Sequence, residues 1–262
     1  GVANYTYAHN KVMEIDEPIS IVGTYRSGTG KPVGQLFGLI AEGLFTEDDF
    51  DENGKLKEGI PVQNFSDVNN LRPGDIKYRD MNGDGQITAV DETAIGGTRV
   101  PEIIYGFGAN VKYKAFDFGF FFQGAGKTYQ ILRGENWLPG SVLGAGNIFS
   151  NIDDRWTPEN PSQNVFWPRL GNRAVANNER LSTWWLRDMS FLRLKNIELG
   201  YNFPKTWVNR IGVRDCRLFV RGSNLLTFSK FKLWDPELET TDGLKYPQMK
   251  AVSVGLNINF NN

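Results

Sequence analysis

The residues best equipped for chemistry are Asp80, Asn82, Asp84, Gln86 and Asp91, set within Asp80-Met81-Asn82-Gly83-Asp84-Gly85-Gln86-Ile87-Thr88-Ala89-Val90-Asp91. The stretch fits the calcium-loop pattern D-x-D/N-x-D/N-G followed by a closing acidic residue. Oxygens from Asp80, Asn82 and Asp84 can converge on one hard cation, while Gly85 makes the sharp turn, Gln86 offers its backbone carbonyl and Asp91 closes the site. The expected cofactor is a structural Ca2+ ion that holds a loop in shape, with no catalytic role. Asp91 stands where the pattern has Glu. Its shorter reach works against bidentate closure, and Glu92 is adjacent as a reserve ligand. Gly, Asn and Asp also build turns that need no metal, which is the competing reading.

The rest of the chain offers no reaction centre. Acidic pairs such as Asp48/Asp49 and Asp153/Asp154 are adjacent on loops, where carboxylates are solvated. There is no G-x-S-x-G elbow, phosphate loop or His-centred triad. His9 and Cys216 are the single His and Cys, which excludes a Cys/His zinc cluster and an intramolecular disulfide. Cys216 is expected as a small buried thiol. The chain is therefore read as a protein that is not an enzyme. Trp137, Trp156, Trp167, Trp184, Trp185 and Trp234 fall in long loops, where they either stack on a sugar ring or build the loops' own small cores; the second is expected for any one of them.

The elements that must position these residues are strands. The 262 residues are 13% aromatic and include 29 Gly, which suits pleated strands joined by Gly-rich turns. A net charge of -1 supplies no basic field for phosphates, so no nucleic-acid partner is expected. No apolar run is long enough for a membrane-spanning helix, but barrel strands need only about 9–11 residues each and leave the mean hydropathy negative, as here.

Val252, Val254, Leu256, Ile258 and Phe260 alternate with small and polar residues, the period of a two-faced strand. The pattern recurs in Tyr105, Phe107, Ala109, Val111 and Tyr113, then in Phe116, Phe118, Phe120 and Phe122, with a tight hairpin expected at Lys114-Ala115. Tyr105, Phe107, Phe118, Phe120, Val254 and Leu256 are thereby expected to face lipid. Further strands are expected at 2–12, 191–203 and 217–226. Leu192 and Leu194 fall on the opposite parity from Ile197, Leu199 and Tyr201, which implies a bulge or emergence from an apolar belt. The connections at 114–115 and 204–213 are short and those at 13–103, 125–187 and 227–248 long, the asymmetry of outer-membrane barrels. The calcium-type loop 80–91 lies in the first of these long loops.

Several segments carry a specific resemblance. Tyr5-Thr6-Tyr7-Ala8-His9-Asn10-Lys11-Val12, Lys31-Pro32-Val33-Gly34-Gln35-Leu36-Phe37-Gly38 and Pro73-Gly74-Asp75-Ile76-Lys77-Tyr78-Arg79-Asp80-Met81-Asn82-Gly83-Asp84-Gly85 are followed by Tyr105-Gly106-Phe107-Gly108 and Phe116-Asp117. Then come Arg155-Trp156-Thr157-Pro158-Glu159-Asn160-Pro161, Phe191-Leu192-Arg193-Leu194-Lys195-Asn196, Leu199-Gly200-Tyr201, Asn224-Leu225-Leu226-Thr227 and Asp235-Pro236-Glu237. In this order the set resembles the SusC/RagA-type TonB-dependent outer-membrane transporters.

The resemblance implies an all-β fold: an antiparallel transmembrane β-barrel segment with long extracellular loops, contributing about six strands to a plugged barrel of about 22. Residues 1–262 would be its C-terminal part, without the plug domain, the earlier strands, the TonB box or a signal peptide. The implied function is active uptake of nutrients, oligosaccharides or peptides, across a Gram-negative outer membrane. The implied partners are the remainder of the same transporter, a SusD-like surface lipoprotein, the TonB complex and outer-membrane lipid. The first and last strands are expected to pair with strands outside the chain, because an open edge is not tolerated in lipid. The rival is a secreted calcium-stabilised β-sandwich that binds glycans, which would bury the aromatic rows between two sheets.

Overall fold

The computed structural model describes residues 1–63, 65, 71–134, 137, 139, 148–171 and 175–260. In chain order its strands are β1 (Val2–Tyr7), β2 (Gln35–Gly38), β3 (Ala41–Leu44), β4 (Val62–Gln63), β5 (Ile76–Tyr78), β6 (Gln86–Ile87) and β7 (Thr93–Thr98). They continue as β8 (Ile103–Tyr113), β9 (Phe116–Gly126), β10 (Tyr129–Ile131), β11 (Leu186–Asp188), β12 (Phe191–Asn202), β13 (Val213–Ser229) and β14 (Ala251–Phe260). One short helix, α1 (Lys205–Val208), lies between β12 and β13. Six strands form one antiparallel sheet in the order β1-β8-β9-β12-β13-β14, and the rest pair two by two within the long connections.

The period-two alternation becomes two chemically distinct faces because cross-strand partners point the same way. One row of register partners runs Val111, Phe118, Leu199, Val220 and Val254 across five strands. The adjacent row, on the opposite face, runs Lys112, Asp117, Gly200, Phe219 and Gly255. Tyr105, Phe107, Phe118, Phe120, Val254 and Leu256 all fall on the apolar face. Half-buried Cys216, expected inside, lies there too, opposite Ile258. No second sheet packs on this face among the described residues, and Val254 stays 68% exposed. A sandwich would have covered it, so the rival architecture is corrected here.

The parity slip in β12 is a bulge. Between Leu194 and Asn196, Lys195 is the extra residue against β9, and Asn224 and Leu225 stand opposite it on β13. Asn224 takes a left-handed conformation (φ 54°) to absorb the mismatch. Leu192 and Leu194 consequently pair with Gly124 and Phe122 and stay on the apolar face. Strand ends also move from their expected positions. β1 stops at Tyr7 because its partner β8 starts at Ile103, and β13 is longer at both ends than 217–226 because β12 and β14 supply partners from Val213 to Ser229.

The short connections lie at one end of the sheet and the long ones at the other. The long ones are not structureless: residues 13–103, expected as a loop, hold β2 to β7. They share one apolar core with the other long connections, made of Leu39, Ile76, Ile87, Trp137, Trp167, Trp185 and their neighbours. Five indole and phenyl rings, of Trp137, Phe149, Phe166, Trp167 and Trp185, meet with centroids 4.8–6.2 Å apart. The loop tryptophans therefore build a core, Trp137 and Trp167 at 0% exposure. Trp207, on α1 at the short-turn end, is exposed.

Candidate functional site

The polar face of the sheet carries a ladder of charges. Asp117 accepts hydrogen bonds from both Nε and Nη2 of Arg217, the former at 3.0 Å, and from Asn202 Nδ2 at 2.9 Å. Arg217 Nη2 also reaches Glu198 Oε1 at 2.7 Å, and Arg221 Nε reaches Glu198 Oε2 at 2.6 Å. Two arginines thus alternate with two carboxylates over β9, β12 and β13. Gly200 sits among them, and a Cβ there would run into Arg217 and Asp117. A ladder neutralised from within gives a wettable wall without a strong field of either sign.

The bulge places a second set of charges at the loop end. Arg193 is buried and bonded to Asp235 at 2.5 Å and paired with Glu237 at 2.7 Å, while Lys195 reaches Glu237 at 2.9 Å. Asp235 simultaneously accepts from Glu237 N, capping the 3-10 turn Pro236–Leu238. The Arg193-to-Lys195 segment and Asp235-Pro236-Glu237 are therefore the two halves of one latch, which fastens the β13–β14 connection to the sheet.

A third cluster lies within the loop core and accounts for Pro73-Gly74-Asp75. Fully buried Asp75 receives Arg169 Nε and Nη2 at 2.9 and 3.0 Å, Asn178 Nδ2 at 2.9 Å and Arg72 N at 2.9 Å. Gly74 has φ +88°, and a Cβ there would collide with the Trp156 ring. Gln63 joins the network through Ile76 O and Tyr78 N, and Tyr78 donates its hydroxyl to Asn177 O. Burial pushes the Tyr78 phenol up, keeping it a neutral donor.

The calcium-type loop is a chain of side-chain-to-backbone turns. Asp80 accepts from Gly83 N at 2.7 Å and Gly85 N at 2.8 Å, Asn82 Oδ1 from Asp84 N at 3.0 Å, and Asp84 Oδ1 from Gln86 N at 2.8 Å. Gly83 and Gly85 take the positive φ values that the turns need. Partial burial works to raise the Asp80 carboxyl, but the Gly85 and Gly83 N–H groups outweigh it and hold it below its ordinary value. Asp91 is buried apart from these residues, accepting from Met81 N at 2.9 Å and Thr88 N at 2.8 Å. Glu92 is taken by Arg26 and Arg180. Among the described residues no three acidic, His or Cys side chains are grouped to hold a metal ion.

No family model matches the chain. Over 231 residues, 83% of this chain, it is 34% identical to TonB-dependent receptor P26 of Formosa agariphila, of which it covers 22%. TonB-dependent receptor P3 of the same organism is 30% identical over 88% of the chain, again covering 22% of that relative. TonB-dependent receptor SusC of Bacteroides thetaiotaomicron is 27% identical over 80% of the chain and is covered over 18% of its length. The chain thus spans about a fifth of the curated relatives it matches. Among solved structures, the RagAB peptide transporter superposes with a TM-score of 0.67 at 20% identity, covering 98% of this chain and 26% of that one. The RagAB peptide importer in its closed-closed state gives 0.65 at 21% identity, with the same coverage. All of these are named as receptors, transporters or importers. With the motifs in order, the two-faced sheet and these likenesses together, the chain belongs to the SusC/RagA-type TonB-dependent receptors, a family of outer-membrane proteins, and its six-stranded sheet is a stretch of their antiparallel β-barrel.

Proposed function

We propose that this chain forms part of the barrel wall of an active importer of nutrients, oligosaccharides or peptides, energised through TonB and served by a SusD-like surface lipoprotein. The observation that carries the reading is the inversion of the sheet: apolar side chains lie uncovered on one face while the charged Asp117–Arg217–Glu198–Arg221 ladder lines the other. Lipid suits the first face and a hydrated lumen the second. The free edges of β1 and β14 would pair with further strands of the same transporter. The loop core over the β11–β12 end would border the extracellular entrance, with loop 80–91 inside it. A Ca2+ ion bound by Asp80, Asn82, Asp84, Gln86 and Asp91 belongs to the same proposal, supported by the ligand spacing.

The test is deletion of the full-length transporter gene in its host, followed by growth and uptake of labelled oligosaccharides and labelled peptides as separate sole nutrients. Loss of one of the two, restored by the intact gene, supports the reading and names the substrate class. Undiminished uptake of both would sink it.

A further inference from the structure

Above the sheet, where β11 leads into β12 and the chain leaves β13, lies an open groove lined by Phe166, Leu186, Arg187, Asp188, Lys230, Phe231, Lys232 and Leu233. Its floor is apolar and belongs to the rim of the tryptophan core. Its charge is unbalanced. Arg187, Lys230 and Lys232 face one carboxylate, Asp188, whose Oδ1 already accepts from Ser190 N at 2.9 Å. None of the three cations forms an ion pair among the described residues, whereas Arg193, Lys195, Arg217 and Arg221 of the sheet all do.

Arg187 is held in a particular way. Its Nη1 donates to Trp184 O at 2.7 Å and Leu186 O at 2.9 Å, and its guanidinium lies over the Phe166 ring, 4.9 Å from the centroid. Those contacts fix the plane of the group and consume one nitrogen. The Nε and Nη2 edge is left without a partner among the described residues, and that edge is the fork that binds a carboxylate through two parallel hydrogen bonds. Burial draws the Arg187 pKa down, the direction expected of a cation stripped of water and given no counter-ion. A positioned, partly desolvated guanidinium beside two solvated lysines and an apolar floor is the arrangement of a receptor for an anion carried on an apolar body or ring.

We propose that this groove is a binding subsite for a carboxylate-bearing ligand, with Arg187 gripping the carboxylate side-on, Lys230 and Lys232 adding attraction, and Phe166 and Phe231 receiving the ligand's apolar or ring face. The proposal rests on the import reading for the source of such a ligand, a uronate-containing oligosaccharide or an acidic peptide. The groove itself rests on the lining residues and the free edge of Arg187.

The experiment uses the full-length transporter in detergent and measures affinity by calorimetry for four probes: tetragalacturonate and its methyl ester, and N-acetyl tetraglutamate and its amide, tetraglutamine. Binding of at least one acid form, about 10-fold or more tighter than its neutral counterpart and weakened by salt, is the expected result. Arg187→Gln should weaken that binding roughly 10-fold, Arg187→Lys by less, and Lys230→Gln with Lys232→Gln a few-fold without touching the core. Equal affinity for acid and neutral probes, an unchanged affinity in Arg187→Gln and the lysine double variant, or no binding of either acid would overturn the proposal. Uptake in the gene-deletion assay is a separate readout, so loss of the anion subsite and failure of the import reading are distinguishable.

Discussion

The barrel wall and the loop core use the same kinds of residue in opposite ways. In the wall, Phe107 and Val254 are 41% and 68% exposed while Asp117, Glu198 and Arg217 pair across the protected face. In the loop core Trp137, Trp167 and Trp185 are buried, and the buried carboxylates of the long connections, Asp75 and Asp91, are hydrogen-bonded. The core obeys the hydrophobic effect in water, whereas the wall, on the proposed reading, meets a solvent as apolar as its own side chains. A single chain therefore contains two regions whose stability answers to different surroundings. A substitution tolerated in one should fail in the other.

The largest effect is expected at Asp75. Its replacement by Ala leaves Arg169 and Asn178 without their buried acceptor, which should cost the loop core about 3–5 kcal/mol. Limited proteolysis of the full-length protein should then cut the long connections while the wall keeps its resistance to heated detergent. A wall that melts together with the core would erase the division between the two regions.

Next comes Phe120→Arg on the apolar face, expected to cost roughly 2–4 kcal/mol near the bilayer midplane. Asn110→Arg, on the polar face next to Ala109, the cross-strand partner of Phe120, should be close to neutral, because its own partner is Gly119 and the proposed lumen face is hydrated. Folding titrations into lipid vesicles compare the two, and equal penalties would break the assignment of faces.

A smaller effect belongs to loop 80–91. Asp80→Ala removes the acceptor for Gly83 N and Gly85 N, a loss of about 1–2 kcal/mol confined to the loop. Calcium titration sharpens the reading: one-site binding that Asp80→Ala and Asp91→Ala both abolish supports the metal, and no binding heat in the parent protein leaves a hydrogen-bonded turn.

The smallest effect is the pH response of the same loop. The folded-state pKa of Asp80 is depressed, so its contribution is complete above the unfolded value of about 3.9 and is lost as pH falls through the lower folded value. Amide exchange at Gly83 and Gly85 should therefore accelerate relative to neighbouring loops on acidification below about pH 4. Asp80→Asn should flatten that response.

Much of the wall was legible from residue order alone. Alternation is a local property, and a strand with Phe116, Phe118, Phe120 and Phe122 on one parity declares its faces without reference to any partner. The motif order likewise pointed to the family. Only the tertiary structure decided the rest, because it depends on residues distant in the chain. Arg193 meets Asp235 across 42 residues, and Arg217 meets Asp117 across 100. The choice between bulge and belt edge in β12 was settled by the partners on both sides, since β9 and β13 must accept Lys195 at once. Asp91 had the spacing of a closing ligand, and only the tertiary structure showed that its buried carboxylate also satisfies Met81 N and Thr88 N. The tryptophans were scattered in sequence and became one core only when three long connections folded over the same end of the sheet, the way to remove that much aromatic surface from water.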